Sequence, residues 1–184
     1  MKKLITPAKT AEKTNQESEL FKLAKKLVTE RIPGFRKGTS DVPAFTHSIS
    51  VSDSLQKIGC TWDVHIAGLL HDIVEDGDTA LEELKELGFS DRTVALVDLC
   101  SHDESVQGGE ARWVKMIARL VEANDLDAWT IKLADILDNL HSCHTMPLDR
   151  QKFMKETKAP LMLKLTEGQL SDHPIWKELK NEVE

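Results

Sequence analysis

Residues 68–77, GLLHDIVEDG, set four ionisable groups, His71, Asp72, Glu75 and Asp76, into an otherwise apolar stretch. Burying an ionised carboxylate without a partner costs on the order of several kcal/mol, so something must compensate these side chains. The apolar pattern predicts one helix over about 62–76. On it, His71 and Glu75 are four residues apart, as are Asp72 and Asp76, and such pairs share a helix face. The two pairs form neighbouring stripes about 100° apart. One helix edge then carries an imidazole and three carboxylates, opposite Ile66, Leu69, Leu70, Ile73 and Val74. That ligand set suits Mn²⁺, Fe²⁺ or Zn²⁺.

A metal site needs ligands from other elements as well. His47 lies near the start of a predicted helix, among Phe45, Ile49 and Val51. Asp135 lies within IKLADIL, where an uncompensated carboxylate is again hard to accommodate. Asn139 is one turn further on, on the same face. The ordered set is His47, His71, Asp72 and Asp135.

The elements that must position these residues read as helices. Residues 1–16 are polar and are expected to form a flexible N-terminal arm, with the domain over 17–184. A helical pattern starts at Ser18 and stops at Pro33-Gly34. Residues 35–42 read as a loop, and Pro43 opens a helix running to about Ile58. Thr61 is placed to cap the next helix. Thr79 with Glu82 has the form of a capping box, and Ser90 of an N-cap. Further helices follow over about 90–100, 110–123 and 127–142, with two more in the tail. No period-2 strand is evident. The fold class is all-α, a single helical bundle of eight or nine helices.

Bulk properties narrow the function classes. The chain has 184 residues, 30% charged and 40% hydrophobic, enough for one domain with a real core. A net charge of −7 argues against non-specific binding to nucleic acid or an anionic membrane. No apolar run approaches the roughly 18 residues of a membrane span. The start, MKKLITPAKT, has no secretory apolar core. Three cysteines without a CxxC pair point to a reducing cytoplasm.

Taken in order, RKGTSDVPAFTH, LLHDIVED and IKLADILDNL resemble three blocks of the HD superfamily of metal-dependent phosphohydrolases. In particular they resemble the hydrolase domain of the RelA/SpoT proteins and the stand-alone small alarmone hydrolases. The resemblance is strongest over residues 33–145. It implies that His47, His71, Asp72 and Asp135 bind one Mn²⁺, and that Glu75 and Asp76 orient and activate the attacking water. It implies that Arg36 and Asn139 hold substrate phosphates; Lys37 and Lys132 add positive charge that attracts a polyanion. The implied activity is removal of the 3′-pyrophosphate of guanosine tetra- or pentaphosphate, ppGpp or pppGpp, giving GDP or GTP. The implied partner is thus a guanosine polyphosphate.

The chain departs from the family's pattern around the substrate. Ala44 stands where an aromatic residue is usual, Ser48 where Pro is common, and His141 where Arg is frequent. Arg31 and Gly34 occupy the usual His-x-x-Gln positions. The metal and water residues are complete, so reaction class is better specified than substrate. An HD phosphatase of another nucleotide or dinucleotide is the alternative, and a catalytically silent nucleotide sensor a further one. A di-iron oxygenase would need more His ligands than the spacing places. His102-Asp103, a second HD dipeptide, falls in the polar stretch SHDESVQGG and reads as a rim residue at most. His65 is expected to point away from the site. The segment from His141 to His144 gives only a weak second-metal pattern, and the four tryptophans read as packing residues.

Overall fold

The structure, a computed structural model, describes the backbone of residues 7–184 and side chains from Asn15 onward. The regular elements among its described residues are helices, with a single isolated bridge between Phe35 and Pro43. The elements are α1 (Pro7–Arg31), α2 (Thr46–Lys57), α3 (Trp62–Leu70), α4 (Ile73–Asp76), α5 (Leu81–Glu86) and α6 (Asp91–Cys100). They continue with α7 (Gly109–Ala123), α8 (Leu126–Ser142), α9 (Leu148–Phe153), α10 (Ala159–Leu170) and α11 (Pro174–Val183). A π-helical turn over Met154–Lys158 joins α9 to α10, and only residues 71–72 separate α3 from α4. Counting each joined pair once gives nine helices among the described residues.

Several expected boundaries move. α1 begins at Pro7, so residues 7–16 of the expected arm are helical, and residues 1–6 lie outside the described residues. The reason is local: Ala, Lys, Glu and Gln dominate 8–17 and propagate a helix, and Pro suits its first position. Pro43 does not open α2. It sits in the bridge, with Arg36 N–H donating to Val42 O at 2.8 Å and Ala44 N–H to Gly34 O at 3.0 Å. The Thr79 capping box does not form. Thr79 Oγ1 instead donates to Gly77 O and accepts from Arg31, and Ala80 precedes α5. Ser90 does cap α6, accepting from Thr93 N–H at 3.0 Å. Asp125 caps α8 through Asp127 and Ala128 N–H.

The core is built round α3 and α8. Every residue of α3 from Val64 to Leu70 is buried, and so is α8 from Ala128 to Leu137. A helix apolar all round needs partners on every side, and α3 packs against α1, α2, α6 and α8. The approach of α2 to α3 is close at Gly68, where a Cβ would stand 2.3 Å from Leu55 Cδ1. These two buried helices carry the ionisable residues, at the C-terminal end of α3 and the middle of α8.

Leu96, fully buried in α6, tests the core apart from the site. Leu96→Ala should cost about 3 kcal/mol, lowering Tm by about 6–12 °C for a domain of this size. Thermal unfolding beside Leu148→Ala, whose side chain is 81% exposed, would check it. Equal melts would contradict the packing.

Candidate metal centre and active site

The predicted helix over 62–76 is broken at the His-Asp pair itself. Asp72 has φ −99° and ψ −1°, in the bridge region between helix and strand. The two i, i+4 stripes therefore do not form one straight edge. The break turns His71 and Asp72 inward toward α2 and α8, and α4 starts a new helical turn carrying Glu75 and Asp76.

His71 is fully buried. Its Nδ1–H donates to Gly68 O at 2.7 Å, which leaves Nε2 as an acceptor. That Nε2 is buried and makes no hydrogen bond. It lies 3.1 Å from Asp72 Oδ1 and 3.9 Å from Asp135 Oδ1. His47 Nε2 lies 3.1 Å from Asp135 Oδ1 and 3.7 Å from Asp72 Oδ2. Ligand atoms of His47, His71 and Asp72 fall within 4.8 Å of one another. Donors about 2.1 Å from one ion stand about 3.0–3.5 Å apart; His47, His71 and Asp72 form a three-residue group close to that size, and Asp135 Oδ1 borders it, 3.1 Å from His47 Nε2. The lone Nε2 of His71 is the atom such an ion would satisfy. Among the described residues no second group of this kind forms round His141, Cys143 and His144.

The electrostatics point the same way. Burial alone would neutralise Asp135, but Lys132, with His47 and His71, holds its carboxyl well below the usual range. Burial likewise opposes ionisation of Asp72, and the two histidines override it. His47 is raised to about 9: burial opposes its charging, and Asp135, Asp138 and Asp72 outweigh it. This concentration of negative charge is a cation's environment.

The other expected residues are near, in unexpected company. Lys132, 5% exposed, pairs with Asp135 Oδ2 at 2.5 Å. Asn139 donates to Asp135 Oδ1 at 2.6 Å. Both engage the Asp135 carboxylate in this structure. Arg36 pairs with Asp138 Oδ2 at 2.5 Å and donates to Ser142 Oγ at 2.5 Å. The loop presenting it is pressed on the end of α8. Gly38, at φ +84°, would place a Cβ 1.9 Å from Thr145 O, and Thr145 Oγ1 donates to Lys37 O. Asp76 stands at the solvent edge. Partial desolvation, with the charges of Asp72 and Glu75, raises its carboxyl above the usual range, against Lys37 and His71.

Sequence reasoning missed two residues. Asp138 accepts from His47 Nδ1 at 2.6 Å. A carboxylate on the far nitrogen of a metal-binding imidazole fixes its tautomer and raises its basicity. The signal was available, since Asp138 is three residues from Asp135 on one helix face. His102 reaches Glu75 twice: its backbone N–H donates to Oε1 at 2.8 Å, and its Nδ1 lies 2.6 Å from Oε2. It is thus a partner of the second carboxylate and not merely a rim residue. No sequence signal joins residues 27 apart with α5 and α6 between them. His65 packs against Phe21 and Trp62, away from the site as expected.

Asp138→Asn keeps the shape and removes the charge behind His47. It should weaken metal binding about 10–100-fold, read as the metal concentration for half-maximal stabilisation. Unchanged affinity would show that Asp138 serves Arg36 alone.

A family model described as "HD domain" matches residues 21–159. The chain belongs to the HD domain family. The first relative is a GTP pyrophosphokinase of Streptomyces coelicolor, 35% identical over 127 residues, 68% of this chain and 15% of that protein. A guanosine-3′,5′-bis(diphosphate) 3′-pyrophosphohydrolase of Aquifex aeolicus is 32% identical over 158 residues, 82% of this chain and 21% of that one. The Drosophila melanogaster enzyme of that name is 36% identical over 107 residues, 57% of this chain and 58% of its own length. This HD domain thus spans about 15% of the length of its first Streptomyces relatives. In fold it is similar to a solved structure titled as a metazoan ortholog of SpoT that hydrolyzes ppGpp. The TM-score is 0.73 at 24% identity, over 89% of this chain and 93% of that one. The lmo0812 protein of Listeria monocytogenes gives 0.63 at 27% identity, over 77% and 93% of the two chains. No helix of the described residues is long and apolar enough to cross a membrane.

Proposed function

We propose that this HD domain is a Mn²⁺-dependent phosphohydrolase that removes the 3′-pyrophosphate of ppGpp or pppGpp. One observation carries the hydrolase reading: the buried, unbonded Nε2 of His71 faces Asp72 and Asp135, with Glu75 and Asp76 one turn away. The relatives named as guanosine-3′,5′-bis(diphosphate) 3′-pyrophosphohydrolases support the substrate. His47, His71, Asp72 and Asp135 would hold the ion. When bound, it lowers the pKa of water and polarises a phosphoryl oxygen.

The chain's own residues supply the rest. Glu75, fixed at both oxygens by His102, accepts a proton from the attacking water. The water oxygen joins the phosphorus next to the ribose, and the bond from that phosphorus to the 3′-oxygen breaks. Asp76, with its raised carboxyl, is suited to deliver a proton to the leaving 3′-oxygen. The products are GDP or GTP with a free 3′-hydroxyl, and pyrophosphate. Lys37 and Lys132 attract the polyanion, and Arg36 and Asn139 stand beside it. The same reading sets the enzyme in a reducing cytoplasm, which its three free cysteines suit.

A second reading keeps the site and changes the substrate. Arg36 is held by Asp138 and Ser142, so it is not free to grip a phosphate as the resemblance implies. That favours an HD phosphatase releasing orthophosphate from another nucleotide. A product assay separates the two. Metal-stripped protein restored with Mn²⁺ is offered ppGpp and a panel of 2′- and 3′-phosphorylated nucleotides. Pyrophosphate from ppGpp is the expected result. Orthophosphate from another nucleotide supports the second reading, and no release from any of them overturns both.

A further inference from the structure

The π-helical turn Met154–Lys158 packs against α8, the helix of Lys132 and Asp135. Such turns are rare insertions, frequent at functional sites, because the extra residue re-aims side chains at a cost in backbone geometry. Here the turn ends on Lys158. Its Nζ lies 5.2 Å from the ring centroid of Trp113 and 5.6 Å from that of Phe153. The two rings meet edge to face at 6.1 Å. Among the described residues no carboxylate reaches Lys158 within ion-pair distance, and its ammonium lies over these two rings.

The surrounding charges make this an unusual place for an ammonium. Lys132, Lys37 and Arg150 act on Lys158 with like sign, and Asp135 opposes them. Asp135 is already paired with Lys132. Burial, with these neighbours, pulls the Lys158 pKa down to about 8. A half-buried cation among cations lacks an anion, and the aromatic walls exclude the water that would otherwise stabilise it. Lys158 is close enough to feel Asp135 without touching it. It therefore borders the metal centre without belonging to it.

We infer that Lys158, walled by Trp113 and Phe153 and flanked by Lys37 and Arg150, forms a second anion subsite for the 5′-phosphates of the nucleotide. This rests on the phosphohydrolase reading, in which the 3′-phosphates must lie at the metal ligands. A molecule phosphorylated at both ends then bridges the two subsites. The chain, anionic overall, becomes locally cationic where the second phosphate group arrives.

The test uses the full chain, wild type and with Lys158→Met or Lys158→Arg, in two measurements. Equilibrium binding of GDP and of guanosine, read by tryptophan fluorescence, needs no turnover. Lys158→Met should weaken GDP about tenfold or more and leave guanosine unchanged, and Lys158→Arg should restore most of the loss. Steady-state kinetics then compare ppGpp with a guanosine 3′-diphosphate that has no 5′-phosphate. Lys158→Met should raise KM for ppGpp about tenfold, with kcat little changed, and leave KM of the other substrate alone. Equal losses on both substrates would place Lys158 at the scissile end and overturn the inference. GDP binding that ignores the substitution would overturn it too. If no nucleotide is hydrolysed, the function reading fails, and the GDP and guanosine titrations still decide the subsite.

Discussion

Asp72→Ala should abolish turnover, by at least about a thousandfold, and erase the metal-dependent rise in Tm, without unfolding the chain. Asp72 sits in the break between α3 and α4, 3.1 Å from His71 Nε2 and 3.7 Å from His47 Nε2. Any ion shared by those nitrogens would be shared by its carboxylate. A ligand that binds only the folded state at a hundred times its Kd stabilises by about 2.7 kcal/mol. For a domain of this size that is about 5–10 °C in Tm, and the wild type should show it when Mn²⁺ is added.

The fold should survive because Asp72 does not hold the core. Its side chain is 26% exposed, and the packing of α3 rests on Val64, Leu69 and Leu70 on the other side of the break. His47 keeps Asp135 and Asp138 when Asp72 is gone. Four thermal melts decide it: wild type and variant, each without and with Mn²⁺. Equal apo melts and a shift in the wild type alone are expected. Retention of the shift by an inactive variant would move Asp72 from ligand to chemistry. Activity near wild type would sink the metal assignment.

The cluster of His47, His71, Asp72 and Asp135 was legible because burial makes carboxylates conspicuous. Asp135 between Ala134 and Ile136, and Asp72 between His71 and Ile73, have no apolar explanation. The helices were legible wherever apolar spacing ran unbroken, as in α7 and α8. The break at His71-Asp72 was not, because Ile73 and Val74 continue the apolar pattern across it. The π-turn before Pro160 was not legible either, because its residues 155–158 are polar and carry no apolar spacing to be interrupted. Thr79 had the residue type and spacing of a cap, but Arg31 from α1 claims its hydroxyl. That contact spans 48 residues, beyond the reach of local sequence rules. His102 beside Glu75 is a tertiary fact of the same kind, whereas Asp138 shares a helix face with Asp135 and was within reach of spacing rules. Arg36 was expected to hold substrate phosphates; in the fold it pairs instead with Asp138, 102 residues away, where the loop meets α8.

Glu75→Gln should lower kcat by about 10²–10⁴, with KM and Mn²⁺ affinity close to wild type. The amide keeps an oxygen for His102 N–H but cannot take a proton from water. In the structure both Glu75 oxygens are engaged by His102, at 2.8 and 2.6 Å. The loop that presents His102 is itself fastened. Arg119 donates to Ser101 O at 3.3 Å and to Asp98 O at 3.0 Å, and Lys115 pairs with Asp103 at 2.5 Å. This loop is therefore a fixed support, and a carboxylate on a fixed support loses little entropy on reaching its reactive geometry.

His102 then acts through Glu75, as a positioning residue. His102→Ala should lower kcat about tenfold or more, leave KM and Mn²⁺ affinity unchanged, and be partly rescued by His102→Asn, which keeps a donor near Nδ1. The decisive comparison is the double variant. Residues that act as one unit are non-additive, so Glu75→Gln with His102→Ala should be no slower than Glu75→Gln alone. If the two losses multiply instead, His102 contributes separately from Glu75, and the carboxylate is not oriented by the imidazole. If Glu75→Gln retains full kcat, the proton passes to Asp76 alone. Glu75 would then be an oriented spectator, and Asp76 at the solvent edge the base instead of the acid assigned above.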